Sequence, residues 1–152
     1  MDKVTFYTNL HSDFIPQTKS GASYTRNYLM HQADTELIQF FDDDNGFDAT
    51  YLERALAYYD HLTKQEQGEV VVCSTVLYRD THQIQNQGFS HFSYRQSRPK
   101  RCSMGEKPSV EIQMFSGNGL LGKAQLFQSV LYDEEIAWIA EDLDFTLSLH
   151  EK

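Results

Sequence analysis

Cysteine is scarce in this chain of 152 residues, and the two present, Cys73 and Cys102, are too few for a disulfide framework. There is no Cys-x-x-Cys and no His-x-x-x-His, so the spacings of a zinc site are missing, and neither a metal nor a cofactor is expected. Only three prolines occur, with no Ser/Gly-rich linker and no internal repeat. Nothing therefore marks a domain boundary, and a single domain over residues 1–152 is expected. No run approaches the ~18 apolar residues of a membrane span, and the amino-terminal Met-Asp-Lys-Val-Thr-Phe-Tyr has no apolar signal core. Together these shortages predict a soluble, cytoplasmic protein with reduced thiols and no membrane contact.

What the chain does contain is enough apolar and aromatic material to fold, at 40% hydrophobic and 13% aromatic residues. The stretch 69–78, Glu-Val-Val-Val-Cys-Ser-Thr-Val-Leu-Tyr, is apolar on both faces at period two, which predicts a central strand needing cover on each side. Residues 3–10 predict a first strand, followed by a long polar loop over 11–30 that has room for a short helix or strand and is anchored by Tyr24, Tyr28 and Leu29. Asp34 reads as the cap of a short helix carrying Leu37, Ile38 and Phe41 on one face, ended at Gly46. A clearer helix, capped by Asp48 or Thr50, carries Leu52, Ala55, Leu56, Tyr59 and Leu62 at helical spacing.

Beyond the central stretch, 88–95 is expected to pair antiparallel with it, with Phe92 and Tyr94 on one face. Pro99 and Pro108 predict a loop over 96–107. Val110, Ile112 and Met114 alternate with Glu111 and Gln113 as in a half-buried strand over 109–115, closed by a tight turn at Ser116-Gly117-Asn118-Gly119. Residues 120–132 fit helix or strand, and strand is favoured by the preceding turn. Asp133 opens a last helix with Ile136, Ile139, Ala140 and Leu143 on one face, after which Phe145, Leu147 and Leu149 alternate as in a strand. The class expected is α+β, with an antiparallel sheet of about four to five strands and two to three helices mainly on one face.

The net charge of −9 is unevenly distributed. Residues 1–60 hold four bases against ten acids, 95–107 five against one, and 108–152 two against eight. An acidic body thus carries one basic segment, Arg95, Arg98, Lys100, Arg101 and Lys107. Such a body is repelled by nucleic acid at long range and suits a protein partner with a basic surface. The acids expected to meet it are Asp42, Asp43, Asp44 and Asp48 in one turn and Glu134, Glu135, Glu141 and Asp142 near the end, with Arg98, Lys100 and Arg101 as a local contact.

The Asp-rich turn fails as a calcium loop, because Gly46 at position six would put Phe41 and Leu52 where ligands are required. His61-Leu62-Thr63 and His91-Phe92-Ser93 match the His-x-Thr/Ser pair of one phosphoesterase class, but one is placed on a helix and the other on a strand. Cys102, after Lys100 and Arg101, reads as a surface cysteine in a basic loop. Two functions from different classes follow. One is a non-enzymatic acidic protein-binding module of inhibitor or immunity type, such as a phage- or plasmid-encoded inhibitor of a nucleic-acid-handling enzyme. The other is a small metal-independent RNase-like enzyme built from His82, His91, Arg95, Arg98, Lys100 and Arg101, in which histidine, His91 foremost, is the acid or base and the arginines hold the phosphate. In order of elements alone, the chain is similar to small bacterial endoribonuclease toxins, from whose basic character its acidic body departs.

Overall fold

The computed structural model describes residues 21–152 apart from 43, 87, 94, 97, 103–108, 116 and 137–139. The first half runs α1 (Ala22–Gln32), β1 (Leu37–Gln39), α2 (Tyr51–Gln65), β2 (Val71–Cys73) and β3 (Val76–Leu77). Then follow β4 (Ile84–Asn86), β5 (Phe89–Ser93), β6 (Arg98–Arg101), β7 (Leu120–Lys123), α3 (Ala124–Ser129) and α4 (Glu141–His150). The fold is α+β, with its described strands in three small antiparallel sheets ordered β1-β7-β2, β3-β4 and β5-β6.

The three-stranded sheet separates two apolar clusters, because successive residues of a strand face opposite ways. Ile38, Leu120, Val71 and Cys73 turn to one face, against Met30 of α1, Phe127 of α3 and Phe145 of α4. Leu37, Leu121 and Val72 turn to the other, against Ala55 and Tyr59 of α2. Three of the four described helices thus pack on one face of this sheet and α2 on the other, in keeping with the helices expected mainly on one face. Phe127, Phe145 and Leu120 are fully buried, and each is worth roughly 1.5–3 kcal/mol of transfer free energy. Phe127 and Phe145 lie 6.0 Å apart, and Phe145 stacks on Tyr132 at 3.9 Å.

Several elements differ from the sequence expectations, each for a local reason. The stretch 69–78 is not one central strand. It breaks after Cys73, where Ser74 N–H donates to Gly119 O, and Val76–Leu77 turns away to pair with β4. The central strand is β7, paired with both β1 and β2. The helix expected after Asp34 is strand β1, and Phe40 N–H extends its ladder to Leu120 O at 2.9 Å. Within the expected loop 11–30, residues from Ala22 onward are helical, and the buried anchor is Met30, while Tyr28 and Leu29 are exposed.

The ribbon partner of β5 is β6, not the stretch 69–78. Pro99 sits within β6 because a two-stranded ribbon has free edges that tolerate a missing N–H. Residues 109–115 contribute a single bridge, Phe89 to Met114, and no strand. Their chain is held instead by Thr146, whose Oγ1 accepts from Phe115 N–H at 3.0 Å. Residues 120–132 are strand and then helix. The last helix begins at Glu141, after Ala140 in the left-handed region at φ 80°, and it includes Phe145, Leu147 and Leu149, whose alternation in the sequence leaves helix and strand both open. The α2 expectation holds: Asp48 Oδ1 accepts from Thr50 N–H at 2.9 Å at its start. Residues 3–10, Tyr94, Lys107, Pro108, Ser116 and Ile139, for which the sequence raises expectations, lie outside the described residues.

Gly122 faces the cluster containing Phe127, and a Cβ there would meet Phe127 Cζ at 2.9 Å and Val71 Cγ2 at 3.3 Å. Only a bare backbone lets α3 fold its phenylalanine back over the strand that precedes it. Gly122→Ala is therefore expected to cost about 1–3 kcal/mol, by overpacking. Urea unfolding should give a lower midpoint at unchanged slope; an unchanged or higher midpoint would refute this packing.

Candidate functional site

Helix α1 organises the acidic residues. Its Arg26 donates through Nη1 to Asp142 Oδ1 at 2.6 Å and through Nη2 to Asp42 Oδ1 at 3.3 Å, with Glu141 Oε1 3.7 Å from Nη1. The guanidinium also lies over the Tyr132 ring, 5.3 Å from its centroid. Burial works against the charge on Arg26, but Tyr132, Asp142, Asp42 and Glu141 together hold its pKa above the ordinary arginine value. Burial raises the Asp142 carboxyl above the usual carboxylate range, opposed by Arg26 and by the Gly117 N–H. A Cβ on Gly117 would run into Asp142 Oδ1 and lie 3.0 Å from Tyr132 Oη, so this approach requires glycine.

The next residue, Asn27, is buried and satisfied on both sides. Its Nδ2 donates to Tyr132 O at 2.9 Å and to Glu134 Oε1 at 3.1 Å, and its Oδ1 accepts from Tyr132 N–H at 2.8 Å. Two neighbouring residues of α1 thus reach the acidic turn after β1 and the acidic segment before α4. Between Leu29, Phe41, Asp42 and Asp44 lies an open hollow of about 480 Å³, with Arg26 in its lining. Leu29 is 53% exposed and Tyr28 37%. Phe47, also half exposed, stacks on Phe41 at 4.9 Å.

Of the acids singled out in the sequence, Asp42, Glu141 and Asp142 are gathered on Arg26, and Glu134 is gathered on Asn27. Asp48 is set apart, bonded to Thr50 and to Arg54 Nη2 at 2.6 Å, and these contacts, Thr50 foremost, lower its pKa. Asp44 and Glu135 are exposed, and Asp43 lies outside the described residues. Sequence reasoning missed Arg26 and Asn27, since a helix with polar residues on its inner face gives no apolar periodicity. The available signal was an arginine isolated within an acidic half of the chain.

The basic residues are in a different place. In the β5-β6 ribbon, His91 is paired with Lys100 and Ser93 with Arg98, while Arg95 lies in the turn between the strands. Ser90 Oγ and His91 Nδ1 are in hydrogen-bond contact at 3.1 Å. Cys102, expected at the surface, is buried, with its N–H donating to Gly88 O at 3.2 Å. Burial pushes the Cys73 thiol up to about 12, which makes it a poor nucleophile. His61 lies on α2 and His91 on β5, so the two His-x-Thr/Ser elements are not equivalent. Among the described residues no group of three or more His, Cys, Asp and Glu is arranged to hold a metal, and no helix is long and apolar enough to cross a membrane.

No protein-family model, no curated protein sequence and no solved structure matches the chain.

The raised Asp142 pKa has a defined sign. The folded chain holds that proton more tightly than the unfolded chain, so this group favours folding as pH falls through the carboxylate range and loses that contribution as pH rises. Arg26→Met removes the opposing cation and enlarges the effect. The variant is expected to lose about 1–3 kcal/mol near neutral pH, between the values for exposed and buried pairs. The loss should be smaller near pH ~4, where carboxyls protonate. Urea unfolding at the two pH values measures this; equal losses at both would show that the carboxylates do not depend on Arg26.

Proposed function

We propose that the chain is a non-enzymatic protein-binding module of inhibitor or immunity type, which meets a basic protein surface through the face built on α1. The observation that supports it is the gathering of two acidic segments, distant in sequence, on Arg26 and Asn27 of α1, with Leu29 exposed in the hollow beside Asp42 and Asp44. Interfaces combine an apolar or aromatic centre with a charged rim, and the rim sets partner choice and association rate. Because Asp42, Glu141 and Asp142 are partly neutralised by Arg26 and Glu134 is bonded to Asn27, recognition falls mainly to Asp44 and Glu135. A basic surface on an enzyme that handles nucleic acid is the kind of target such a rim fits. A cytoplasmic setting is part of the proposal and accords with two free cysteines.

A second reading, RNase-like catalysis through His91 with Arg95 and Arg98 on the phosphate, has one observation in its favour, the placement of His91 beside Lys100 in the ribbon register. It requires an acid and a base on opposite sides of the scissile phosphate, and this register supplies one imidazole. His91→Ala should abolish any RNA turnover on this reading; full turnover in that variant removes His91 from the mechanism.

The binding reading is tested by capture of partner from a host lysate at about 0.1 M and about 1 M salt. A basic protein should be retained at the lower concentration and released at the higher. Leu29→Glu and the pair Asp44→Ser with Glu135→Ser should each weaken its binding at least tenfold, while Leu56→Glu, on exposed α2, should not. Equal retention by all of these variants would exclude the α1 face.

A further inference from the structure

The β5-β6 ribbon is not used by the face on α1. Cross-strand partners project to the same side, so His91, Ser93, Arg98 and Lys100 share one face and Phe92 and Pro99 the other. The polar face is the outer one: His91, Arg98 and Lys100 are exposed and Ser93 is half-buried beside them, while Phe92 and Pro99 on the other face are both half-buried. Among the described residues no carboxylate forms an ion pair with Arg95, Arg98, Lys100 or Arg101, and Arg98 Nε donates to Gln96 Oε1 at 3.3 Å. Residues 79–101 hold five Lys and Arg and one acid, Asp80, in a chain of net charge −9. The positive charge is therefore local to this ribbon, its turn and its approach.

We propose that the ribbon is a contact surface for duplex DNA, entering the major groove with His91, Ser93, Arg98 and Lys100 toward the bases and phosphates. A major groove about 12 Å wide admits a two-stranded ribbon, and this is how β-ribbon proteins read DNA. Each side chain on the outer face can donate a hydrogen bond. Arginine and lysine suit guanine O6 and N7 as well as phosphate, and a serine hydroxyl suits either. Single strands are disfavoured, because they need aromatic platforms for stacking, and Phe92 lies on the inner face while Phe89 is held in the bridge to Met114. Duplex RNA is disfavoured because its major groove is too deep and narrow for side chains to read. The acidic remainder of the chain repels DNA at long range, so binding is modest and confined to low salt.

The test is fluorescence anisotropy of a labelled DNA duplex spanning two helical turns, titrated at several low salt concentrations. Binding should weaken steeply with salt. The double variant Arg98→Ala with Lys100→Ala should bind at least tenfold more weakly, with a salt slope smaller by about 2. Both side chains are exposed, so its urea midpoint should match the wild type; should it not, Arg98→Gln with Lys100→Gln replaces it. Asp44→Ser with Glu135→Ser, on the other face, should bind DNA as well as or better than the wild type. Absence of duplex binding at the lowest salt, undiminished binding by the ribbon variant, or tighter binding to single-stranded DNA, RNA or polyglutamate would each overturn the proposal.

Discussion

The Arg26 guanidinium joins α1, the turn after β1 and the first turn of α4 in one cluster of charge, and the location of the acidic face follows from it. A half-buried cation must be compensated, and a half-buried carboxylate equally so, which fixes both sides of the contact. Asn27 does the same for the segment before α4 with neutral hydrogen bonds. Beneath them Tyr132 stacks on Phe145, so the polar cluster rests directly on the apolar core. Packing and charge therefore position the same surface.

This arrangement sorts the acidic residues into two groups. Those on Arg26 hold the fold, and the single guanidinium offsets only part of their negative potential. Asp44 and Glu135 are exposed on turns, and the proposed binding face relies on them. The basic ribbon stands apart as a second surface of opposite sign.

Legibility from sequence varied with the range of the interactions involved. Helix α2 was readable because its apolar residues recur at helical spacing and Thr50 stands at its N-cap, held by Asp48, both local signals. The division of 120–132 into strand and helix was not, because Leu120 and Leu121 must face opposite layers while Phe127 returns over Gly122, and that is decided by the sheet. Residues 37–39 were misread because Leu37, Ile38 and Phe41 fit a helix in isolation, whereas β7 supplies the hydrogen bonds that make them a strand. Asp42, Glu134, Glu141 and Asp142 stood out in the sequence by charge alone. Their convergence was hidden, since contacts across 116 residues, as between Arg26 and Asp142, leave no periodicity to find.

The most direct test of this account is a double-mutant cycle on Arg26→Met and Asp142→Asn, measured by urea unfolding near neutral pH. A favourable coupling of at least ~1 kcal/mol is expected, because each side chain is the principal partner of the other in a half-buried setting. Effects that add to within ~0.5 kcal/mol would contradict it. The pair would then be a surface contact without structural consequence, and the acidic face would lack the scaffold assigned to it.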